Sequence, residues 1–490
     1  MVWKKGRPGN LSRLLFVFCT LLYCTLTPIS TLEAQTPSQG LNPTAPVPNS
    51  GVTITSPLQQ QQTLPGAARV SKAPDQLSLS TAIELALTNN LSTLLAQEQK
   101  RQAAGFKQQS RSALLPNIDA NSFQASITTN LAALGFQPGT FPGLTQTFLG
   151  PFNNFDARVR LVQNIFDLSA IRNYQSSRAG ERIAEYQLSL AREQVSEATA
   201  LTYLETLRTV RSVSAAEANV ELATALLKLA EDQRTAGIAT GVDVTRAQTR
   251  LAQEKVSLAQ AHTAAEQASL NLQRVIGVPL GSPLVLTDPL RFTEEPLPDT
   301  TSAVAQALTT RNEVLISQAQ VDMLDLERKS VKSEYLPSLQ FLADYGVSGI
   351  TPDNTALPTR RVGVQLNVPV FNGGLTQGRL TAATSREHQA ELQLSSVRGQ
   401  VEEDVRLALS GLRTTVERVR AADEALTLAQ RELQMSRDRF AAGVADNLEV
   451  ITAQASLANA RVAQIEALAV YNAARLNLAA ALGRAERFRW

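Results

Sequence analysis

One stretch of this chain, Gly237 to Gly277, is written twice. Residues 443–483 align with it without a gap at a constant offset of 206. Gly237 meets Gly443, Val244 meets Val450, and Ala247-Gln248 meets Ala453-Gln454. Leu270-Asn271-Leu272 meets Leu476-Asn477-Leu478, and Gly277 meets Gly483. In each copy a helix ends on a glycine, turns, and restarts as an Ala/Leu/Gln-rich helix with an acidic first turn, as helix-end preferences require. That is a helical hairpin tip, present twice.

The duplication extends upstream. Ala303 to Pro337 aligns with Ala82 to Pro116 at an offset of 221, with Leu336-Pro337 matching Leu115-Pro116. Ser80 opens a helix expected to run to about Ala113, where Leu115-Pro116 stops it. Pro116 to Ile127 lacks helical periodicity, and Thr128 to Asn154 carries no charge and many Gly, Pro and Phe. From Phe155 to Phe166 the chain alternates Phe155, Ala157, Val159 and Leu161 with Asp156, Arg158 and Arg160. That is a strand with one greasy and one charged face. Leu339 to Val347 and Val362 to Val368 alternate in the same way.

Leu168 to about Arg234 contains no Pro and only Gly180, so it reads as one helix of nearly 70 residues, roughly 100 Å long at 1.5 Å per residue. Gly374 to about Phe440 repeats it, with Leu394, Val397, Val401, Val405, Ala408, Leu412, Val416 and Val419 spaced as a coiled-coil seam. The two shorter helices of each copy sum to the same length. Stacked end to end they would run beside the long one and leave all strands at the end opposite the tips. The expected fold is therefore mostly α, a long antiparallel coiled coil plus four strands per chain.

The strands, about 11 residues each with alternating polarity, have the length and pattern of outer-membrane barrel strands. Four cannot close a barrel, because an open edge cannot sit in lipid. Several chains must share one, and physics alone permits a dimer or a trimer.

The remaining segments are read by composition. Residues 1–34 form a targeting segment: Lys4, Lys5, Arg7 and Arg13 precede an apolar run from Leu14 to Leu26, too short for a bilayer span. Both cysteines, Cys19 and Cys24, lie within it, and ordinary cleavage near Ala34 is favoured over lipid attachment at Cys24. Residues 35–76, rich in Pro, Gln, Ser and Thr, read as a disordered tether. The first structural repeat spans 77–276, a Pro-rich irregular linker 277–300, the second repeat 301–483, and a short tail 484–490. Net charge is +2 and no stretch concentrates Lys or Arg, which argues against a nucleic-acid partner. His262 and His388 are far apart in Gln/Ala surroundings, and no phosphate loop, nucleophile elbow or metal-ligand cluster is present. Neither an enzyme nor a cofactor is expected.

The doubled arrangement resembles the TolC family of outer-membrane efflux proteins. It is carried by the tips Ala236-Gly237-Ile238 with Asp243-Val244 and Ala442-Gly443-Val444 with Glu449-Val450, and by Pro369-Val370-Phe371-Asn372-Gly373-Gly374. The resemblance implies a homotrimer whose 12-stranded β-barrel sits in outer-membrane lipid and whose helical barrel crosses the periplasm. It implies an exit duct for tripartite efflux or type I secretion, partnered by a periplasmic adaptor and an inner-membrane pump. It also implies that Ala236, Gly237, Ile238, Ala442, Gly443 and Val444 meet the adaptor, and that Asp243 and Glu449 form the periplasmic entrance gate. The local reading of the same residues is simpler: the glycines cap helices and the acids favour helix N-termini. The chain departs from the family where Arg246 and Thr452 replace a second carboxylate, and where Asn164-Ile165-Phe166-Asp167-Leu168 lacks the Pro and Gly pair of the second copy. The rival from another class is a soluble periplasmic coiled-coil scaffold.

Overall fold

The computed structural model describes residues 65–489, apart from 140, 141, 143–145, 295, 354 and 446. The targeting segment and residues 35–64 of the expected tether lie outside the described residues. The elements in order are β1 (Gln76–Leu77), α1 (Leu79–Asn89), α2 (Leu91–Ser112), β2 (Asn117–Asn130), β3 (Phe148–Phe166), α3 (Leu168–Thr235) and α4 (Gly241–Ile276). The second copy follows as β4 (Val285–Leu286), α5 (Thr300–Thr310), α6 (Asn312–Ser333), β5 (Ser338–Gly349), β6 (Leu357–Asn367), α7 (Leu375–Ala441) and α8 (Asn447–Ala481).

The long helices form as expected, 68 residues in α3 and 67 in α7. α1, α2 and α4 all pack along α3, and α5, α6 and α8 along α7. The short helices meet end to end. Asn89 Nδ2 donates to the Ile276 carbonyl at 3.0 Å, and Thr310 Oγ1 donates to the Leu482 carbonyl at 3.0 Å. Gly277 and Gly483 make these joints possible with φ of 75° and 68°; at Gly277 a Cβ would also press on the Arg69 carbonyl and Asn89.

Three expectations need correction. The single helix expected over 80–113 is two, broken at Asn90, whose ψ of 137° takes it out of the helix. Its side chain then caps α2 by accepting from Ser92 N at 2.9 Å. The second copy breaks at the equivalent Arg311, whose guanidinium bonds Glu313 and Asp404. No Pro or Gly marks either break; packing against the joint sets both. Second, the tether expected to reach residue 76 is anchored from Pro65 onward. Ala67 N donates to Arg274 O, Ser71 N donates to Gly277 O, and β1 pairs in parallel with β4. Its backbone satisfies carbonyls at the helix ends, which composition does not reveal. Third, β2 and β3 are 14 and 19 residues long and reach well into the uncharged stretch 128–154.

The sheet runs β2-β3-β5-β6, antiparallel throughout. One cross-strand row reads Ile118, Leu161, Ala343, Val362, and the next row reads Asp119, Arg160, Asp344, Arg361. Successive rows face opposite sides, so the sheet has a mainly apolar face and a charged face; Arg360, opposite Tyr345, and Ser122 and Gln124 of β2 are the polar residues on the apolar side. On the charged face Arg158 forks between Asp156 and Asp344, and Arg361 approaches Asp344 at 3.9 Å. On the apolar face Val159, Tyr345, Val362, Val364 and Leu366 are 49–71% exposed. Among the described residues no helix covers them, and β2 and β6 each keep an unpaired edge. Among the described residues no helix is long and apolar enough to cross a membrane.

The two copies turn from strand to helix differently. In the first, β3 ends at Phe166 and Asp167 caps α3 directly, accepting from Ala170 N at 3.1 Å. In the second, residues 368–374 intervene, and Gly373 and Gly374 take φ of 65° and 84°. The missing Pro and Gly pair thus gives the first copy a tighter corner.

Candidate functional site: the hairpin tips

Each tip begins with a helix end that only glycine closes easily. α3 is capped by Ala236 (φ −77°, ψ −3°), and Gly237 turns left-handed at φ 77°. Gly237 N then donates to Arg234 O at 3.0 Å and Ile238 N to Gln233 O at 2.9 Å. The second tip repeats the geometry: Ala442 (φ −78°, ψ −2°), Gly443 at φ 72°, and Val444 N donating to Arg439 O at 3.0 Å. These bonds satisfy terminal carbonyls and point the next residue outward. Ile238 is 59% and Val444 72% exposed. A Cβ on Gly237 would meet nothing within 4 Å, and one on Gly443 would meet only Ile238 Cγ2 at 3.8 Å. The requirement for glycine at the tips is therefore backbone conformation, not space.

The two acids are placed alike and bonded differently. Asp243 closes a capping box: its Oδ2 accepts from Thr240 N at 2.8 Å and Thr240 Oγ1 at 2.6 Å, while Thr240 Oγ1 accepts from Asp243 N. The Thr240 hydroxyl, together with the Thr240 N–H and Arg246 at 3.8 Å, holds this carboxyl below its ordinary range. Glu449 lies on α8 with Arg439 at 3.6 Å and Ser436 Oγ at 3.4 Å, and its side chain is 39% exposed.

Two buried amides that sequence reasoning missed join the tips. Gln233 Nε2 donates to the Phe440 carbonyl at 3.0 Å, and Asn447 Nδ2 donates to the Asp243 carbonyl at 2.8 Å. The two residues are 7% and 2% exposed. The available signal was a departure from the duplication, since Gln233 aligns with Arg439 and Asn447 with Gly241. Beside this joint, α4 and α8 enclose an open groove of about 680 Å³, lined by Val242, Thr245, Arg246, Leu448 and Ile451 among others. His262 stands on α4, and His388, on α7, lies 3.2 Å from the neighbouring Glu391; among the described residues neither joins a group that could hold a metal.

A duplicated coiled coil bearing a two-faced sheet at one end and glycine-turned tips at the other defines a class, and comparison with known proteins gives the same class. Residues 82–278 and 303–484 match the outer membrane efflux protein family, and the chain belongs to that family. Alkaline protease secretion protein AprF of Pseudomonas aeruginosa is 24% identical over 314 residues, 63% of this chain and 65% of AprF. Outer membrane protein TolC of Escherichia coli is 25% identical over 353 residues, 68% of this chain and 70% of TolC. The outer membrane channel CmeC of Campylobacter jejuni superposes with a TM-score of 0.72 at 18% identity, covering 90% of this chain and 94% of CmeC. VceC of Vibrio cholerae superposes with a TM-score of 0.70 at 18% identity, covering 83% and 96%. Family membership sets aside the soluble scaffold: the protein is a channel of the outer membrane with a periplasmic helical extension, and its work is transport, not catalysis.

Proposed function

We propose that this chain is one third of an exit duct, in which three copies close a 12-stranded barrel above a ring of six hairpin tips. The supporting observation is the sheet, with one charged face, one bare apolar face and two unpaired edges at the end opposite the tips. A sheet of that kind is stable in lipid only when closed, with charges toward a wet lumen. Channels of the TolC family form trimers. In this reading the pump of the inner membrane supplies the energy, a periplasmic adaptor docks on Ala236, Gly237, Ile238, Ala442, Gly443 and Val444, and cargo leaves through the barrel in an efflux or type I secretion system.

Asp243 and Glu449 serve the periplasmic entrance in this scheme, two acids per chain and six per trimer, favouring cations. Arg246 and Arg439 lie against them and thin the acidic ring. Heat-resistant oligomers recovered from outer membranes are the expected result of fractionation; a soluble monomer would sink the duct. Cation selectivity in planar bilayers is expected to fall in the Asp243→Asn, Glu449→Gln double variant. An unchanged selectivity and conductance would remove the gate role from these residues.

A further inference from the structure

The charged face of the sheet does not stay charged to its outer end. On β2 and β3 the side that holds Asp156 and Arg158 also holds Phe123 and, further out, the cross-strand pair Ile127 and Phe152. These three are 48%, 37% and 47% exposed. The other side changes in the opposite sense. Beyond Phe155, its last apolar residue on β3, it carries Asn153, with Ser122, Gln124 and Ser126 on β2. The alternation of side chains along a strand fixes which side each residue takes, so the two faces exchange polarity along one hairpin.

Lipid does not cover the outer apolar pair. The same side carries Asp156 and Arg158, and the side turned to lipid is already polar at that level. β3 pairs with β5 only as far as Phe155 opposite Gly349, so among the described residues Phe148–Asn154 pairs with β2 alone. At 3.4 Å per residue this overhang is about 24 Å long. Near its root the register shifts between Ile127 and Thr129, and a Cβ on Gly150 would lie 2.6 Å from the Ile127 carbonyl. A bulge of this kind bends a strand pair. Twelve strands about 4.8 Å apart and tilted by about 40° enclose a barrel of radius about 12 Å. An overhang twice that length, bent at its root, reaches the axis. There each residue of one copy meets the same residue of the others, so any charge would face its own kind. From Thr128 to Asn154 the chain carries none.

We propose that the outer part of the β2–β3 hairpin folds over the mouth of the barrel and packs, through Ile127 and Phe152, on the same hairpin of the other copies, capping the duct at its outer end. The proposal rests on the multi-chain barrel described above. The occupant of the apolar side is a second copy of this chain, because that side opens on the axis and the hairpin has no charge to keep its equivalents apart. Water leaves a constriction lined by Phe and Ile, and ions stop there. Cargo arriving from the lumen parts the three hairpins, which close again behind it. The β5–β6 hairpin is shorter, its strands ending at Gly349 and Leu357, and takes no part.

No cysteine follows Cys24, so engineered thiols report on the cap alone. The parent is read first: a chain that forms no oligomer in outer membranes sinks the duct itself, before any variant is made. In assembled oligomers Phe152→Cys is expected to give disulfide-linked pairs of chains under mild oxidation, because each copy meets its equivalents. Asn153→Cys, on the opposite side of the same strand, should stay unpaired and react with an impermeant maleimide added to cells. Phe152→Cys that reacts as readily and forms no pairs would show an open mouth and overturn the cap. Phe152→Cys that neither reacts nor pairs would show a different cover, lipid or another protein, and overturn it equally. Closure is read at Asn121→Cys, on the lumen side below the cap. A bulky polyethylene glycol maleimide outside the cell should label it about tenfold faster or more once Ile127→Asp and Phe152→Asp are added, since the rate follows the open fraction. Equal rates in assembled oligomers would show that the hairpins do not close the mouth. Ile127→Ser with Phe152→Ser makes the same measurement if the aspartates prevent assembly.

Discussion

Asp243 and Glu449 stand six residues beyond equivalent glycines on equivalent helices, yet one is bound into its own helix start and the other faces an arginine of the preceding helix. The first tip has Thr240 to complete a capping box; the second has Asp446 at the twin position and Asn447 directed at the first copy instead. Duplication kept the backbone of the tip and let its side chains specialise. The first acid became a structural cap and the second remains more open to its surroundings, 39% exposed against 13%.

The largest effects should come from what the copies share. Gly237→Leu and Gly443→Leu each force a side chain into a left-handed backbone at about 1–2 kcal/mol, too little to unfold a coil of this length. Each is expected to leave assembled protein that no longer exports with its adaptor; normal export would show that the tips are not the docking surface. The two should be about equally severe, because both act through the left-handed backbone and the Ile238 Cγ2 that lies 3.8 Å from the new Cβ of Gly443→Leu is at ordinary contact distance.

Next come Gln233 and Asn447, the pins between the tips, which only one copy of each pair possesses. Gln233→Leu and Asn447→Ala each remove one buried hydrogen bond, at about 0.5–1.5 kcal/mol, because the Phe440 carbonyl still accepts from Gly443 N. Amide exchange at residues 440–450 should accelerate in either variant, while the strands and the α1–α4 joint keep their protection. Uniform acceleration over the whole chain would mean that the pins stabilise the fold rather than the tip.

The acids should give the smallest effects and the sharpest contrast. Asp243→Asn breaks half a capping box and is expected to destabilise the start of α4 by about 1 kcal/mol. Glu449→Gln removes an exposed pair and should change stability by no more than about 0.5 kcal/mol. Amide exchange over 241–247 separates them. The pH dependence follows from the same bonds. Asp243 has a lowered pKa in the folded chain, so its contribution is present above the ordinary carboxylate range and lost as pH falls through the lowered value. The first turn of α4 should fray below about pH 4, and Asp243→Asn should abolish that dependence. A parent chain whose α4 start is equally protected at pH 3 would show that the carboxylate does not hold the cap.

Much of this was legible in the residues. The period of 3.6 in 394–419 and of 2 in 155–161 named helix and strand, and the gap-free repeat around Gly237 and Gly443 located both tips. The helix breaks at Asn90 and Arg311 were not legible, because neither residue is a breaker and each leaves the helix only to let another helix end meet it. The order of residues 65–77 was hidden for a related reason: its hydrogen bonds go to Asn89, Arg274 and Gly277, far away in sequence. At the site, nothing in the local sequence around Gln233 and Asn447 distinguishes them from other helix amides, because their acceptors lie on the other hairpin.

The sequence by itself determined the duplication, the long helices, the two-faced strands and the glycine turns, because each follows from local periodicity and from φ preferences that act over a few residues. Only the tertiary structure decided which amides cross from one hairpin to the other and where the stacked helices meet. Those depend on the distance between side chains hundreds of residues apart. The pattern along one helix fixes which face is apolar, and only packing fixes what that face touches.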